Sequence, residues 1–375
     1  MQINYSLFYT YCIICILNLL VGINRVKKKQ ISYQNRQFRY GKFVIYRPLD
    51  NFLLFILIIM MLYISIKTIN VPDIDVYIRH YRVLNKNVFE IGYYLISSFA
   101  SNLHLSFEWF RGIVICSSII LMYKGINKLG FNKNICFSIY AVYPFTLDVI
   151  QVRNFLALGI IIYALHFLSE RTIVGRMKFC LAIAIASSIH SLSVIYYVLL
   201  LADYDILEKK WKQRTLGIIF ILSVLFSFLL RSSGEIQQLV FNIFALINES
   251  KVSAYVNWNI QWGFILYWFL ELIFIFIAYK IFKYQTAKKI GSNYERLFWN
   301  NIVLACLFPL LTININFFRI FRNISIMNYA LLDVIVIKKK NLGLLILFIF
   351  AVALNYYFNI NTDINNTFWV FFQTS

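Results

Sequence analysis

The chain has 375 residues, 61% hydrophobic, 18% aromatic and only 14% charged, with a mean hydropathy of +0.70. Soluble domains are about 45–50% apolar and about 25% charged, so a water-soluble globular protein is excluded and a polytopic membrane protein is expected. The formal charge of +20 is spread over short loops between apolar runs, a pattern that orients spans, so no nucleic-acid partner is expected.

A helix needs about 20 apolar residues to cross a bilayer. On that measure the fold class is all-α, one transmembrane domain over 1–375 with about 12 spans (roughly 10–13). They lie near 5–24, 51–69, 108–123, 134–150, 154–169, 174–189, 191–207, 215–231, 262–282, 297–314, 323–337 and 342–358. The first, Tyr5–Gly22, lacks a basic leader and a small-residue cleavage site and is read as a retained span. Arg25, Lys27, Lys28, Lys29, Arg36, Arg39, Lys42 and Arg47 follow with no acid among them, which marks the cytoplasmic side.

The outer loop 70–107 opens Asn70-Val71-Pro72-Asp73-Ile74-Asp75-Val76-Tyr77. Asp73 and Asp75 suit either a general base or the capping of a helix start. Phe89-Glu90-Ile91-Gly92-Tyr93 begins an amphipathic, interfacial helix. Lys124, Lys128 and Lys133 mark the next inner loop, and Arg153 then opens a span. Arginine at membrane depth is costly and carries a planar fork of donors suited to phosphate oxygens. Its bland alternatives are snorkelling or pairing with Asp148.

Arg171, Arg176 and Lys178 precede the apolar run 179–201, and Lys209, Lys210, Lys212 and Arg214 follow it. Both flanks can be cytoplasmic only if the chain turns back near Ser187–Ser191, with His190 at the outer apex of a helical hairpin; the rival is one ordinary span with His190 mid-membrane, which leaves one basic flank on the wrong side. His190 then suits a base, a phosphate contact or a packed polar residue among serines. The outer segment 232–261 is modest, and Glu271 is a further intramembrane acid. Lys280, Lys283, Lys288 and Lys289 mark another inner loop, and Lys338, Lys339 and Lys340 the last.

Arg319 and Arg322 stand three apart, hence on one face if helical, fit for a doubly charged diphosphate or for lipid headgroups. His166 and Asp333 read as inner-end packing or pairing residues. The six cysteines all fall inside apolar segments, and the four histidines form no ligand spacing, so neither a disulfide framework nor a metal is expected. With twelve spans every second loop is basic and both termini lie outside. Asp73, Asp75, Arg153, His190, Arg319 and Arg322 then share the outer side, around a protein-lined site.

Asp73-Ile74-Asp75-Val76-Tyr77, Glu90-Ile91-Gly92-Tyr93, Arg153-Asn154 with Ala157, Ala186–Ser191 and Phe318–Phe321, in that order, resemble the pattern of Wzy-type polysaccharide polymerases of the EpsG-like branch. The chain departs from it at Asn154, where glutamine is common, and at Ile74, where glycine is usual. The resemblance implies a metal-independent, cofactor-free glycosyltransferase with a fold like that of class C membrane glycosyltransferases. It would join undecaprenyl-diphosphate-linked oligosaccharide repeat units into O-antigen, capsule or exopolysaccharide at the outer face of the bacterial inner membrane. Arg153, Arg319 and Arg322 are assigned to the diphosphate, Asp75 to proton removal with Asp73 beside it, and His190 to a diphosphate or acceptor contact. Membrane lipids, a chain-length regulator and a flippase are expected partners. The alternatives are a flippase for the same lipid-linked sugars and an O-antigen ligase. A transporter should carry internal repeats and interrupted half-helices, whereas only Pro144 and Pro309 interrupt spans here.

Overall fold

In the computed structural model of the protein, the described residues are 3–35, 47–68, 72–86, 88–202, 210–232, 234–235, 238, 242, 264–286, 292–313, 317–337, 342–361 and 369–372. Arg36, Arg39, Lys42, Lys209, Lys288, Lys289, Lys338, Lys339, Lys340 and most of 232–261 lie outside them. Apart from an isolated bridge at Ile3, the regular structure of the described residues is helical. Two compact units are present, Met1–Tyr197 with Ile324–Ser375, and Val198–Asn323.

The first unit contains α1 (Tyr5–Asn35), α2 (Arg47–Lys67), α3 (Pro72–Val83), α4 (Ile91–Asn102), α5 (Phe107–Lys128), α6 (Lys133–Val142), α7 (Phe145–Ile150), α8 (Val152–Ser169) and α9 (Ile173–Ile189). At its centre α5 and α8 run side by side in the same direction. Ser118 on α5 donates to the Phe155 carbonyl, and Lys128 reaches His166 at 3.1 Å. Apolar burial does not separate helix–helix from helix–lipid contact, so close backbone approach has to hold such a pair. Gly159 provides it, since a Cβ there would sit 2.6 Å from Ser118 Oγ and 2.8 Å from its Cα.

One end of this unit is tied by neutral amides and hydroxyls. Asn18 donates to Ser138 Oγ at 2.8 Å, and Asn134 donates to Asn18 Oδ1 at 2.6 Å and to the Asp50 carbonyl at 2.9 Å. Asn132 donates its side chain to the Gly22 carbonyl and its backbone N–H to Asp333 Oδ2, both at 2.9 Å. Arg25, ion-paired to Asp50 at 3.8 Å, and Lys128 beside His166 lie at this end, as does Lys178 beside Glu170 at 3.6 Å. His166 and Asp333 are pairing residues here, as expected. The opposite end gathers the C-terminus of α2, the start of α5, α3, α4, the start of α8 and the end of α9.

The expected hairpin is also present. Helix α9 ends at Ile189, His190 is extended (φ −144°, ψ 109°), and a 3₁₀ helix runs over Ser191–Ala202. Ten α residues climb about 15 Å and seven 3₁₀ residues about 14 Å. A chain that turns back at His190 therefore brings residue 197 level with 180, and the Tyr197 hydroxyl donates to the Cys180 carbonyl at 2.9 Å.

Among the described residues, six of the twelve expected spans coincide with helices long and apolar enough to cross a membrane: Tyr5–Lys27, Asp50–Lys67, Phe107–Lys128, Val152–Ser169, Lys210–Leu230 and Phe264–Lys283. Several of the others are broken. Expected span 134–150 divides into α6 and α7 at Tyr143-Pro144, because proline has no N–H with which to continue the helix. Expected span 297–314 divides into Ser292–Ala305 and Phe308–Ile313, with Pro309 in the first turn of the second piece. Expected span 323–337 is likewise two helices, Phe318–Asn328 and Leu331–Ile337.

The second unit packs Lys210–Ser232, Phe264–Thr286, Ser292–Ala305 and Phe308–Ile313 through aromatic side chains. Trp268 stacks on Phe308 with ring centroids 5.5 Å apart, and Glu271 is buried on the same helix as Trp268. All six cysteines are free thiols.

Candidate functional site

Arg153 is the second residue of α8 and half-buried. Its Nη1 forms an ion pair with Glu90, and its guanidinium lies 4.0 Å from the Phe89 ring centroid and 5.8 Å from that of Tyr77. Asp148 instead accepts from the Tyr140 hydroxyl at 2.8 Å. Glu90 immediately precedes α4 in extended conformation, and its side chain makes no capping bond to its own helix. Its carboxylate is turned across the site, where Oε1 accepts from the Ser191 N–H at 3.2 Å and from Ser191 Oγ at 2.8 Å. One carboxylate therefore ties together the start of α4, the start of α8 and the residue after the hairpin apex.

The register of this tie depends on Gly92. A Cβ there would meet Ser188 Oγ at 2.4 Å and the Ser188 carbonyl oxygen at 2.7 Å, so only glycine lets α4 close on the end of α9. Below, His80 packs edge-on against Phe89 at 4.3 Å and near Tyr93 at 6.2 Å, and neither ring nitrogen has a hydrogen-bond partner. Burial, and secondarily the Arg153 charge, push its pKa below the ordinary imidazole value and keep the ring neutral.

A model described as the EpsG family matches residues 51–373. The chain belongs to the EpsG family. Membership carries a polysaccharide-polymerase type of function in general terms, and with the apolar helices it makes this a membrane protein. Neither a curated protein nor a solved structure matches the chain.

In this EpsG-family chain the structure brings Arg153 together with the His190–Ser191 apex. His190 is half-buried, and its backbone N–H closes α9 onto the Ala186 carbonyl at 2.8 Å. Asp73 and Asp75 lie in the first turn of α3, both exposed. At 100° per residue Asp73 shares the face of Tyr77, four positions on, whereas Asp75 points about 200° away from it. Arg319 and Arg322 are helical, so they do share a face; they belong to the second unit, with Arg322 buried and Arg319 half-buried. Among the described residues no group of three or more His, Cys, Asp or Glu is arranged to hold a metal.

Sequence reasoning reads Glu90 as the start of an interfacial helix and as part of one resembling motif, gives it no role at the site, and passes over His80 and Arg111. Glu90 carries no local signal, because its partners are 63 and 101 residues away. Arg111 does carry one: it is an arginine inside a membrane-length helix, the criterion that singles out Arg153.

Proposed function

We propose that this EpsG-family protein is a glycosyltransferase joining undecaprenyl-diphosphate-linked oligosaccharide repeat units into O-antigen, capsule or exopolysaccharide, independently of metal, at the outer face of the bacterial inner membrane. We read 1–375 as one polymerase domain, a bundle of about 12 spans with a class C-like fold. The carrying observation is Arg153, fixed by Glu90 at the end of the first unit opposite Arg25, Lys128 and Lys178. Basic loops mark the cytoplasmic side, so a site at the far end faces outward.

In the reaction an acceptor sugar hydroxyl attacks the anomeric carbon of the donor glycan. The new C–O bond forms as the bond from that carbon to the phosphate oxygen breaks, and undecaprenyl diphosphate leaves with the electron pair. Arg153 opposes the charge that grows on the leaving group, and the family resemblance assigns Arg319 and Arg322 to the same diphosphate; fixed cations act without reorganisation. The hydroxyl proton passes to a carboxylate of α3, Asp73 being better placed than Asp75 because it shares the Tyr77 face. His190 contacts the diphosphate or the acceptor. Membrane lipids, a chain-length regulator and a flippase are the partners this role requires.

A flippase is the second reading, favoured by a further interrupted span between Asn328 and Leu331, beyond the two at Pro144 and Pro309. The test is a glycan ladder from cells lacking the gene, complemented with wild type, Arg153→Ala or His190→Ala at matched membrane abundance. Polymerase activity requires that deletion leave single repeat units and that Arg153→Ala fail to restore the ladder. Loss of even single units at the outer face overturns this reading in favour of export, and a full ladder with Arg153→Ala removes that arginine from the site.

A further inference from the structure

Arg111 lies in the first turns of α5, at the same end of the first unit as Arg153, and is 2% exposed. Its Nη1 donates to the Thr68 carbonyl at the end of α2, while Nε and Nη2 are buried with no hydrogen-bond partner. Among the described residues no carboxylate pairs with it. Burying one guanidinium with two N–H edges unmatched is among the costlier arrangements a folded chain can hold. Such an edge suits an anion, because planar paired donors match phosphate oxygens two at a time.

Tyr93 connects this edge to the site above. Its ring, 1% exposed, lies 5.9 Å from Phe110, the neighbour of Arg111, and 5.4 Å from Phe89, the ring beneath Arg153. Both arginines act on its hydroxyl, each opposing the rise in pKa that burial imposes. The charges around Tyr93 do not cancel. Arg153 is matched by Glu90, His80 is neutral, and Arg111 is left as one uncompensated positive charge.

We propose that Arg111 and Arg153, on either side of Tyr93, form a two-cation cradle for the two phosphoryl groups of a diphosphate; this rests on the reading of the site as one for a lipid-diphosphate donor. Arg153 keeps partial exposure and Arg111 does not, so the ligand meets Arg153 first and Arg111 second. Both cations belong to one compact unit, so the cradle is complete without Arg319 and Arg322.

The test uses the full chain purified in detergent, with inorganic pyrophosphate as the probe and thermal stability as the readout. A ligand that binds only the folded state raises Tm with the logarithm of its concentration once that exceeds Kd, so a weaker site shifts the whole dose response to higher concentration. Pyrophosphate should raise the wild-type Tm, and Arg111→Met and Arg153→Met should each shift the dose response at least tenfold to higher concentration. A wild-type dose response in Arg111→Met, alongside a weakened one in Arg153→Met, overturns the cradle and leaves the diphosphate reading standing. No response from the wild type overturns both. If Arg111→Met does not reach the membrane, Arg111→Lys carries the test. Its ammonium keeps the charge without the fork, so binding about tenfold weaker at unchanged basal Tm is expected, and wild-type affinity overturns the assignment.

Discussion

The two ends of the first unit solve the problem of polar groups in a membrane protein in opposite ways. At the basic end, Asn18, Asn134, Ser138 and Asn132 bond one another and nearby carbonyls, and the cations Arg25, Lys128 and Lys178 sit exposed at the rim. At the other end charges are drawn inward among aromatic rings: Arg153 over Phe89, Glu90 bridging to Ser191, and Arg111 buried with two nitrogens unmatched. Neutral amide pairs hold helices together cheaply. Incompletely matched charge is costly and is expected where a ligand completes it. On the function proposed above, the difference separates a structural end from a working one.

Substitutions should break this contrast in a graded way. The largest effect is expected for Glu90→Gln. It removes the charge that holds Arg153 while keeping an acceptor for Ser191, and misplacing a positioned group by about 1 Å costs about 10²-fold in rate. Polymer formation per molecule of membrane protein should fall by about that factor. Glu90→Gln combined with Arg153→Lys should then cost little more than Arg153→Lys alone, and full additivity of the two losses would refute a shared role.

Next comes Gly92→Ala, whose Cβ would overlap the backbone of Ser188. Overpacking of this kind costs about 1–3 kcal/mol, so both Tm and activity should drop, with Ser188→Gly expected to recover only part because the Ser188 carbonyl also blocks the way. At the basic end, Asn134→Ala should lower stability by about 1 kcal/mol, the scale of interhelical hydrogen bonds in membranes, and leave polymer length per molecule unchanged. A shortened ladder there would erase the distinction between the two ends.

The smallest effect concerns His80. Its folded pKa lies below the ordinary imidazole value of about 6.5, so the unfolded chain takes up a proton that the folded one resists. Stability should be level above about pH 6.5 and decline as pH falls below it. His80→Phe, which keeps the aromatic packing against Phe89 and Tyr93, should flatten the part of the Tm profile between that pH and the onset of carboxylate titration. An unchanged profile would assign the slope to another group.

Much of this architecture was legible in the sequence because its signals are local. Apolar runs mark the long helices, basic loops mark one end, and the basic flanks around 179–201 require a turn at His190, which the Tyr197–Cys180 contact bears out. Arg153 stood out for its cost at membrane depth. Pro144 and Pro309 signalled interruptions in their spans, whereas the break at Tyr329-Ala330 carries no proline and was harder to read, since hydropathy averages over a window and stays high across a kinked helix. Asp75 drew attention by residue type, but type does not reveal which way a helical side chain points. Here Asp73, two residues earlier, shares the helix face of Tyr77, and both aspartates are exposed.

By itself the sequence determined the helical membrane class of the molecule, the positions of its long helices and the cost of Arg153 at membrane depth. All three follow from transfer free energies and charge, which act residue by residue. Only the tertiary structure decided that Glu90, not Asp148, partners Arg153, that Gly92 lets the two pieces close, and that Arg111 lies buried without a counter-ion. Those are contacts between residues tens of positions apart, and such contacts exist only once the packing of whole helices has been chosen.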